Sequence, residues 1–371
     1  MNKYYMKLAL ELAQKGRGNV NPNPMVGAVI VKNNKIIGQG YHEEYGKDHA
    51  EINAINSTKE NLEGSTMYVT LEPCFHYGKT PPCVDKIIEC KISKVVIASF
   101  DPNPLVSGNS VKKLLAAGIE VMVGVLDEEN KKLNEVFMKY IIKKIPFVIM
   151  KSAMSLDGKI STSTGESKWI SCEKSRQKVH KLRDEVMAIL VGVNTIIKDN
   201  PKLTCRLEYG KNPIRIVVDS TLKIPLSTNI ITSAKDTRTI IVTTLYAQMS
   251  KVKELESKGV EVIVANDKDK RVDLKDMMQK LGALKIDSIL LEGGASLNYS
   301  AIEEGVVDKV QIYIAPKIIG GVDSKTPVGG NGINSLKDAF KIKNISVETI
   351  GEDILVEGYI EESDKEKCLQ V

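Results

Sequence analysis

The sequence predicts an α/β protein of two domains, and three observations carry that reading. At 371 residues the chain exceeds one ordinary compact core. Short β-branched runs alternate with segments of helical periodicity along its whole length, the pattern of layered α/β sheets. Pro146 interrupts a long helical pattern, so we place the boundary near residue 145, giving domains 1–145 and 146–362 and a polar tail, 363–371.

In the first domain, Tyr5, Leu8, Ala9, Leu12 and Ala13 recur at helical spacing, so the N-terminus reads as a helix rather than a signal peptide. VGAVIVKNNKIIGQGYH comes next as two strands around an Asn33-Asn34 turn, because both residues tolerate left-handed backbone angles. HAEINAINSTKE then reads as a helix, TMYVTLE as a strand and PPCVDKIIECK as a helix. KVVIASF and IEVMVGVL are strands separated by VKKLLAAG, and DEENKKLNEVFMKYIIKK reads as one helix with Leu133, Val136, Phe137, Tyr140 and Ile141 on one face.

The second domain opens with the strand FVIMKSAMS and continues through AILVGV, IRIVVDS, TIIVTT, VEVIVA, SILLEGG, KVQIYIAPKI and DILVEGYIEE. Helical segments such as CEKSRQKVHKLRDEV and MSKVKELESKG lie between them, which predicts a mostly parallel sheet.

Apolar residues make up 42% and charged residues 27%, and no apolar run approaches the ~18 residues needed to cross a bilayer. Six scattered cysteines without a secretory signal give no disulfide framework and fit a reducing cytoplasm. The net charge of +5, with lysines spread along the chain, neither requires nor excludes nucleic acid.

His49, Cys74 and Cys83 form the sharpest constellation. One imidazole and two thiolates give zinc three protein ligands and leave the fourth tetrahedral position for a water, as catalytic sites require. Taken singly, each is more often a buried core residue. The other nearby thiol, Cys90, sits seven residues past Cys83 in an apparent helix, so no closing fourth ligand is evident. Glu51, in the first turn beside the histidine, stands where a carboxylate can carry protons between water and a leaving amine.

His49-Ala50-Glu51 followed by a Pro-Cys…Cys pair resembles the zinc-dependent nucleobase deaminases. Eight residues rather than two separate the cysteines, and this insert, with PNPMVG upstream and DPNP, KSAMSLDGKI, GESKWIS and LLEGGASLN downstream, resembles the bifunctional riboflavin-biosynthesis pyrimidine deaminase/reductases. The resemblance implies a cytidine-deaminase-like three-layer domain, zinc-dependent, joined to a dihydrofolate-reductase-like domain that uses NADPH. It implies hydrolytic deamination of 2,5-diamino-6-(5-phosphoribosylamino)pyrimidin-4-one and then reduction of the ribosyl group to ribityl. By the same resemblance Asn23, His42, His76, Lys79, Asp101 and Asn103 meet the deaminase substrate, with His76 and Lys79 suited to its phosphate. Asn23 and Asn103 also sit in NPNP and DPNP, which make ordinary turns.

The second domain lacks both GxGxxG and GxxxxGK[ST]. Its phosphate-cradle candidate is Leu291-Glu292-Gly293-Gly294-Ala295-Ser296, after an apolar strand and before a helix, a signal that alone also fits a tight turn. The resemblance implies that Ala153, Trp169, Thr195, Asp199, Ser220, Gly294, Ala295, Ser296, Leu297, Asn298, Tyr299 and Ser300 line the cofactor. It implies that Lys151, Ser167, Leu203, Arg206 and Glu292 meet the substrate, with Asp157 organising the region of hydride transfer. Lys151 and Asp199 both remain open as its general acid. The expected partners are small-molecule phosphoribosylaminopyrimidines, with no nucleic acid and no membrane, in a cytoplasmic homo-oligomer. A nucleic-acid deaminase acting on a flipped base would explain HAE and the cysteines but not the LEGGASLN domain.

Overall fold

The computed structural model describes residues 2–75, 81–103 and 107–361, and the chain divides between Lys144 and Ile145 into two compact units. In the first, α1 (Asn2–Ala13) precedes the hairpin β1 (Gly27–Lys32) and β2 (Lys35–Tyr41). Asn33 and Asn34 take φ of 50° and 61°, the left-handed pair that a two-residue hairpin turn needs. Then come α2 (Ala50–Asn56), β3 (Thr66–Leu71), α3 (Cys83–Glu89), β4 (Lys94–Ser99), α4 (Asn109–Ala116), β5 (Glu120–Val123), α5 (Asp127–Leu133) and α6 (Glu135–Lys143). The sheet order is β2-β1-β3-β4-β5, antiparallel up to β3 and parallel beyond it.

Strand alternation divides the apolar residues between two helical layers. Ala28, Ile30, Met67, Val69, Val95 and Ile97 pack with Ala50, Ala54, Val84 and Ile87 from α2 and α3. Val29, Val31, Tyr68, Val96 and Ala98 pack with Tyr5, Met6 and Ala9 of α1. This is a three-layer unit. On α1 the buried face is Tyr5, Met6, Ala9, Leu10 and Ala13, with Leu8 and Leu12 only partly covered, so the helix is rotated from the face its spacing suggested. Two glycines set the helix depths. A Cβ on Gly27 would lie 2.0 Å from the Ala9 carbonyl oxygen, and one on Gly40 2.3 Å from the Ala54 nitrogen, so α1 and α2 rest directly on sheet backbone.

The long helix expected over 127–144 is two helices broken at Asn134, whose φ is −104°. The Asn134 side chain explains the break, because it accepts a bond from the Met25 N–H at 2.8 Å and donates to the Met25 carbonyl at 3.0 Å.

The second unit contains β6 (Phe147–Ser155), α7 (Glu173–Glu185), β7 (Ala188–Gly192), α8 (Val193–Asp199), β8 (Ile214–Val218), α9 (Asn229–Thr232), β9 (Thr239–Thr243), α10 (Met249–Ser257) and β10 (Glu261–Val264). A short hairpin, β11 (Asp267–Lys268) and β12 (Arg271–Val272), leads to α11 (Leu274–Ala283), β13 (Ser288–Leu291), α12 (Ala295–Glu303), β14 (Lys309–Ala315), β15 (Ile342–Ile350) and β16 (Asp353–Ile360). The large sheet runs β10-β9-β8-β7-β13-β6-β14-β16-β15. Seven strands are parallel, while β16 and the edge strand β15 pair antiparallel. The parallel strands read as unbroken apolar runs because both their faces are covered. Val148, Leu190, Ile216 and Ile289 pack under α11 and α12, and Ile189, Val191, Val217 and Ile241 under α8, α9 and α10. The expected polar tail lies outside the described residues.

Candidate active sites

In the first unit the chemistry gathers beyond the carboxyl ends of β3 and β4, where open α/β sheets bind ligands. His49 is the N-cap of α2, with extended backbone at φ −74° and ψ 163°, and Cys83 opens α3. Cys74 lies three residues past the end of β3. The Cys83 Sγ is 3.4 Å from His49 Nδ1, and the three donor atoms all lie within 4.8 Å of one another. A tetrahedral zinc with Zn–S of about 2.3 Å and Zn–N of about 2.0 Å needs ligand separations of roughly 3.5 to 3.8 Å, so this set fits the ion.

The three donor groups are strongly coupled to one another. The Cys83 N–H donates to Cys74 Sγ at 3.1 Å. Hydrogen bonding from Cys83, then from His49, draws the Cys74 pKa down to about 4, while the Cys83 thiol is pushed up by sharing its proton with Cys74. The hydrogen bond to Cys74 raises His49 to about 9. Glu51 is 3% exposed, and burial raises its pKa to about 7 against the pull of His49.

His42 is buried edge-on to His49, with ring centroids 5.5 Å apart. Its Nδ1 lies 3.0 Å from the Asp48 carbonyl, which can only accept, so Nδ1 carries the proton and Nε2 accepts from the Asn23 amide at 3.1 Å. Burial lowers the His42 pKa, which keeps this ring neutral. Asp101 accepts the Asn103 N–H at 2.8 Å just beyond β4. His76 and Lys79 lie outside the described residues. Sequence reasoning missed Glu72, a buried carboxylate that ties Asp101 to the metal-side segment through the Asp101 N–H at 3.3 Å.

In the second unit Lys151 on β6 and Glu292 at the end of β13 come together, with Arg183 from α7, which the sequence did not single out. Arg183 grips Glu292 through Nε to Oε1 at 3.1 Å and Nη2 to Oε2 at 2.8 Å, and donates from Nη1 to the Thr204 carbonyl at 3.0 Å. Burial alone would raise the Glu292 pKa, but the Arg183 and Lys151 charges outweigh it and bring it to about 2. Burial lowers the Lys151 pKa, and its ammonium lies 5.7 Å over the Tyr313 ring. The sequence signal for Arg183 was its place three residues after His180 on one face of α7, and it gains meaning only beside a distant carboxylate.

Gly294 is the N-cap of α12, no side chain caps that helix, and a Cβ at Gly294 would meet nothing within 4 Å. The start of α12 is thus uncapped by any side chain and has open space beside Gly294, a fit for the phosphates of a dinucleotide. Thr195 and Asp199 lie on α8 after β7, the latter exposed, and Ser220 lies past β8, its Oγ accepting the Val272 N–H at 3.1 Å. Asn298 and Tyr299 are buried and hold the following loop, donating to the Pro327 carbonyl at 2.9 Å and the Gly332 carbonyl at 2.8 Å. Ser296 is exposed, and Ala295, Leu297 and Ser300 are half-buried along α12. Ala153 and Ser167 are half-buried, Leu203 is buried at φ 54°, Arg206 is exposed, and exposed Trp169 stacks under the Arg176 guanidinium at 4.6 Å. Asp157 accepts from Ser155 Oγ at 2.5 Å and from the Ile319 and Gly320 N–H groups, which brings it to about 2 and fastens a loop.

Two such units in one chain define a class: a zinc-dependent hydrolytic deaminase joined to a nicotinamide-dependent reductase. Residues 1–99 match the family model of the cytidine and deoxycytidylate deaminase zinc-binding region, and residues 146–356 that of the RibD C-terminal domain. The riboflavin biosynthesis protein RibD of Actinobacillus pleuropneumoniae is 52% identical over 95% of this chain and 94% of its own. A solved structure of Acinetobacter baumannii RibD superposes with a TM-score of 0.87 at 32% identity, covering 97% of this chain and 99% of that one. The Thermotoga maritima diaminohydroxyphosphoribosylaminopyrimidine deaminase/5-amino-6-(5-phosphoribosylamino)uracil reductase does so at 0.84 and 41% identity over the same shares. The chain belongs to the RibD family of riboflavin-biosynthesis proteins. It is a bifunctional enzyme, deaminase and reductase, with zinc and NADPH as cofactors.

Proposed function

We propose that His49, Cys74 and Cys83 hold the zinc and that Glu51 carries the protons for deamination of 2,5-diamino-6-(5-phosphoribosylamino)pyrimidin-4-one. The convergence of three donor atoms within 4.8 Å beside a buried carboxylate carries this reading. Zinc, when bound there, makes a water nucleophilic near neutral pH. The Glu51 carboxylate takes a proton from the attacking water and gives it to a ring nitrogen, then takes the remaining proton of the newly formed hydroxyl and gives it to the amine, which departs as ammonia while the carbon keeps the oxygen as a carbonyl. Asn23 and neutral His42, locked by Asp48, orient the pyrimidine, and Asp101 and Asn103 meet its other polar atoms. His76 and Lys79 take the phosphate. The deaminase work belongs to residues 1–145 and the reductase work to 146–362.

In the reductase unit, Lys151, Ser167, Leu203, Arg206 and Glu292 receive the deaminated nucleotide, joined by Arg183. Ala153, Trp169, Thr195, Asp199, Ser220 and the stretch from Gly294 to Ser300 face the dinucleotide. NADPH supplies the hydride, which needs an electrophilic C1 and hence the open-chain imine of the ribosylamine. Glu292, held ionised by Arg183, fixes the sugar while Lys151 stands by as proton donor. The substrates are free phosphorylated nucleotides, and the reductase domain joined to the deaminase domain supports that reading over a nucleic-acid deaminase. A homo-oligomer in a reducing cytoplasm completes the reading; the five described cysteines are free thiols. Among the described residues no helix is long and apolar enough to cross a membrane.

The test is stepwise turnover with metal analysis. NADPH absorbance should fall only after ammonia release from the diaminopyrimidine nucleotide, and equal NADPH consumption by the undeaminated nucleotide would overturn the order.

A further inference from the structure

We propose that Glu72 is a positioning residue of the deaminase, a buried carboxylate that sets the substrate-facing Asp101–Asn103 turn and the start of α4 against the metal-side segment. This role rests on the substrate reading of the deaminase unit and adds the residue that holds its contacts in register.

Three observations support it. Glu72 is 3% exposed, and both carboxylate oxygens are engaged: Oε2 accepts the Asp101 N–H at 3.3 Å and the Gly108 N–H at 3.0 Å, and Oε1 accepts the Ser110 hydroxyl at 2.6 Å. Ser110 is itself fully buried. The Glu72 N–H donates to the Ser99 carbonyl at 2.9 Å, so the residue is stitched to β4 by its backbone and to the chain beyond β4 by its side chain. Two residues later comes Cys74. One side chain therefore spans the carboxyl ends of two parallel strands, one leading to a zinc ligand and the other to Asp101 and Asn103.

Among the described residues no cation meets this buried carboxylate, and three donors on it offset its desolvation. Those donors sit on elements that Glu72 does not otherwise touch in sequence, 29 to 38 residues away. Without them the Asp101–Asn103 turn and Gly108, at φ 78°, lose their fixed reference to β3. Glu72 reaches no donor atom of the metal set in this geometry, so it acts through Asp101 and Asn103.

The experiment compares Glu72→Ala, Glu72→Gln and Ser110→Ala in the full chain, with the diaminopyrimidine nucleotide as substrate, bound zinc measured alongside. Glu72→Ala should raise KM about tenfold or more and change kcat by less than about threefold, the signature of lost uniform binding. Zinc should stay stoichiometric, and reduction of the deaminated nucleotide should be unchanged. Glu72→Gln should restore most of the KM, because its carbonyl can accept both N–H groups and its amide can donate to Ser110. A wild-type KM in Glu72→Ala, or a fall in kcat with KM unchanged, overturns the proposal. Should Glu72→Ala fail to hold zinc, Ser110→Ala decides: a KM raised about threefold supports it and an unchanged KM sinks it. If the wild-type chain itself does not turn over this nucleotide, the substrate reading has failed instead, and that outcome is distinct from either result on the variants.

Discussion

Glu292 and Arg183 form a two-point ion pair across 109 residues of sequence, with side chains only 16% and 13% exposed. The pair has a definite pH signature. The folded Glu292 pKa of about 2 lies below its ordinary 4.5, so the pair's stabilisation is fully present above about pH 4.5 and fades as pH falls toward 2. The shift, the net of burial against Arg183, Lys151 and His180 together, corresponds to something on the order of 3 kcal/mol, of which Arg183 supplies the largest favourable part. Arg183→Gln should therefore destabilise the second unit near neutrality and flatten this acid dependence, while weakening nucleotide binding to the reductase. Urea unfolding at pH 6 and pH 3 checks it; parallel pH dependences in wild type and variant would refute the assignment.

Glu51→Gln removes the proton carrier without removing a ligand. Loss of a positioned general acid–base typically costs ~10²–10⁴ in rate. Ammonia release should fall by that order while zinc content holds and reduction of pre-deaminated nucleotide continues. Wild-type ammonia release from this variant would strike Glu51 from the mechanism.

The strand runs and the helix starts at His49 and Cys83 were legible because each rests on local pattern: apolar runs covered on both faces, and a polar residue ahead of helical spacing. The features that escaped depend on distant partners. The edge strand β15 is exposed at Lys343–Thr349, so IKNISVETI offers no buried alternation to read. The break at Asn134 needs Met25, 109 residues earlier, to draw the side chain away from the helix. Glu72 and Arg183 look like ordinary surface charges until the donors and carboxylate that face them are known. On α1 the apolar run LALELA supports several faces, and Gly27 on the sheet decides which one packs.

Gly40 sets how closely α2, and with it His49, approaches the sheet. A methyl group there would meet the Ala54 nitrogen at 2.3 Å and the Ala50 carbonyl oxygen at 2.7 Å, both backbone atoms that cannot swing aside. Gly40→Ala should cost about 1–3 kcal/mol and push α2 outward. Zinc affinity, measured by chelator competition, should fall along with deamination, and NADPH-dependent reduction should persist. Unchanged affinity would mean that helix depth does not control the donor set.

Trp169 is the sole tryptophan, is 56% exposed, and stacks on Arg176. If it faces the dinucleotide, NADPH should quench its emission saturably, and Trp169→Phe should raise the NADPH KM by about three- to tenfold, in line with a stacking contact worth about a kcal/mol. Emission indifferent to saturating NADPH would remove this residue from the cofactor site.

Arg215 is 1% exposed, and among the described residues no carboxylate stands in its hydrogen-bond set. Its Nη2 donates to the Ile230, Ser233 and Thr237 carbonyls at 3.1, 2.9 and 2.8 Å, its Nη1 to Ser233 Oγ at 2.8 Å and the Lys202 carbonyl at 3.4 Å, and its Nε to Thr239 Oγ1 at 3.0 Å. Burial lowers its pKa to about 10, which still leaves it charged at neutral pH. Five donors in a rigid fork satisfy the end of α9 and reach back to the residue before Leu203. Lysine offers three donors at one point and cannot reproduce that fan. Arg215→Lys should therefore strand several buried carbonyls, at about 1–3 kcal/mol for each left unsatisfied, and lower the unfolding midpoint of the second unit. Because the Lys202 carbonyl is among the bonds lost, the reductase KM for the deaminated nucleotide should rise even below that midpoint. A lysine variant with wild-type stability and KM would show that water fills the fork's place.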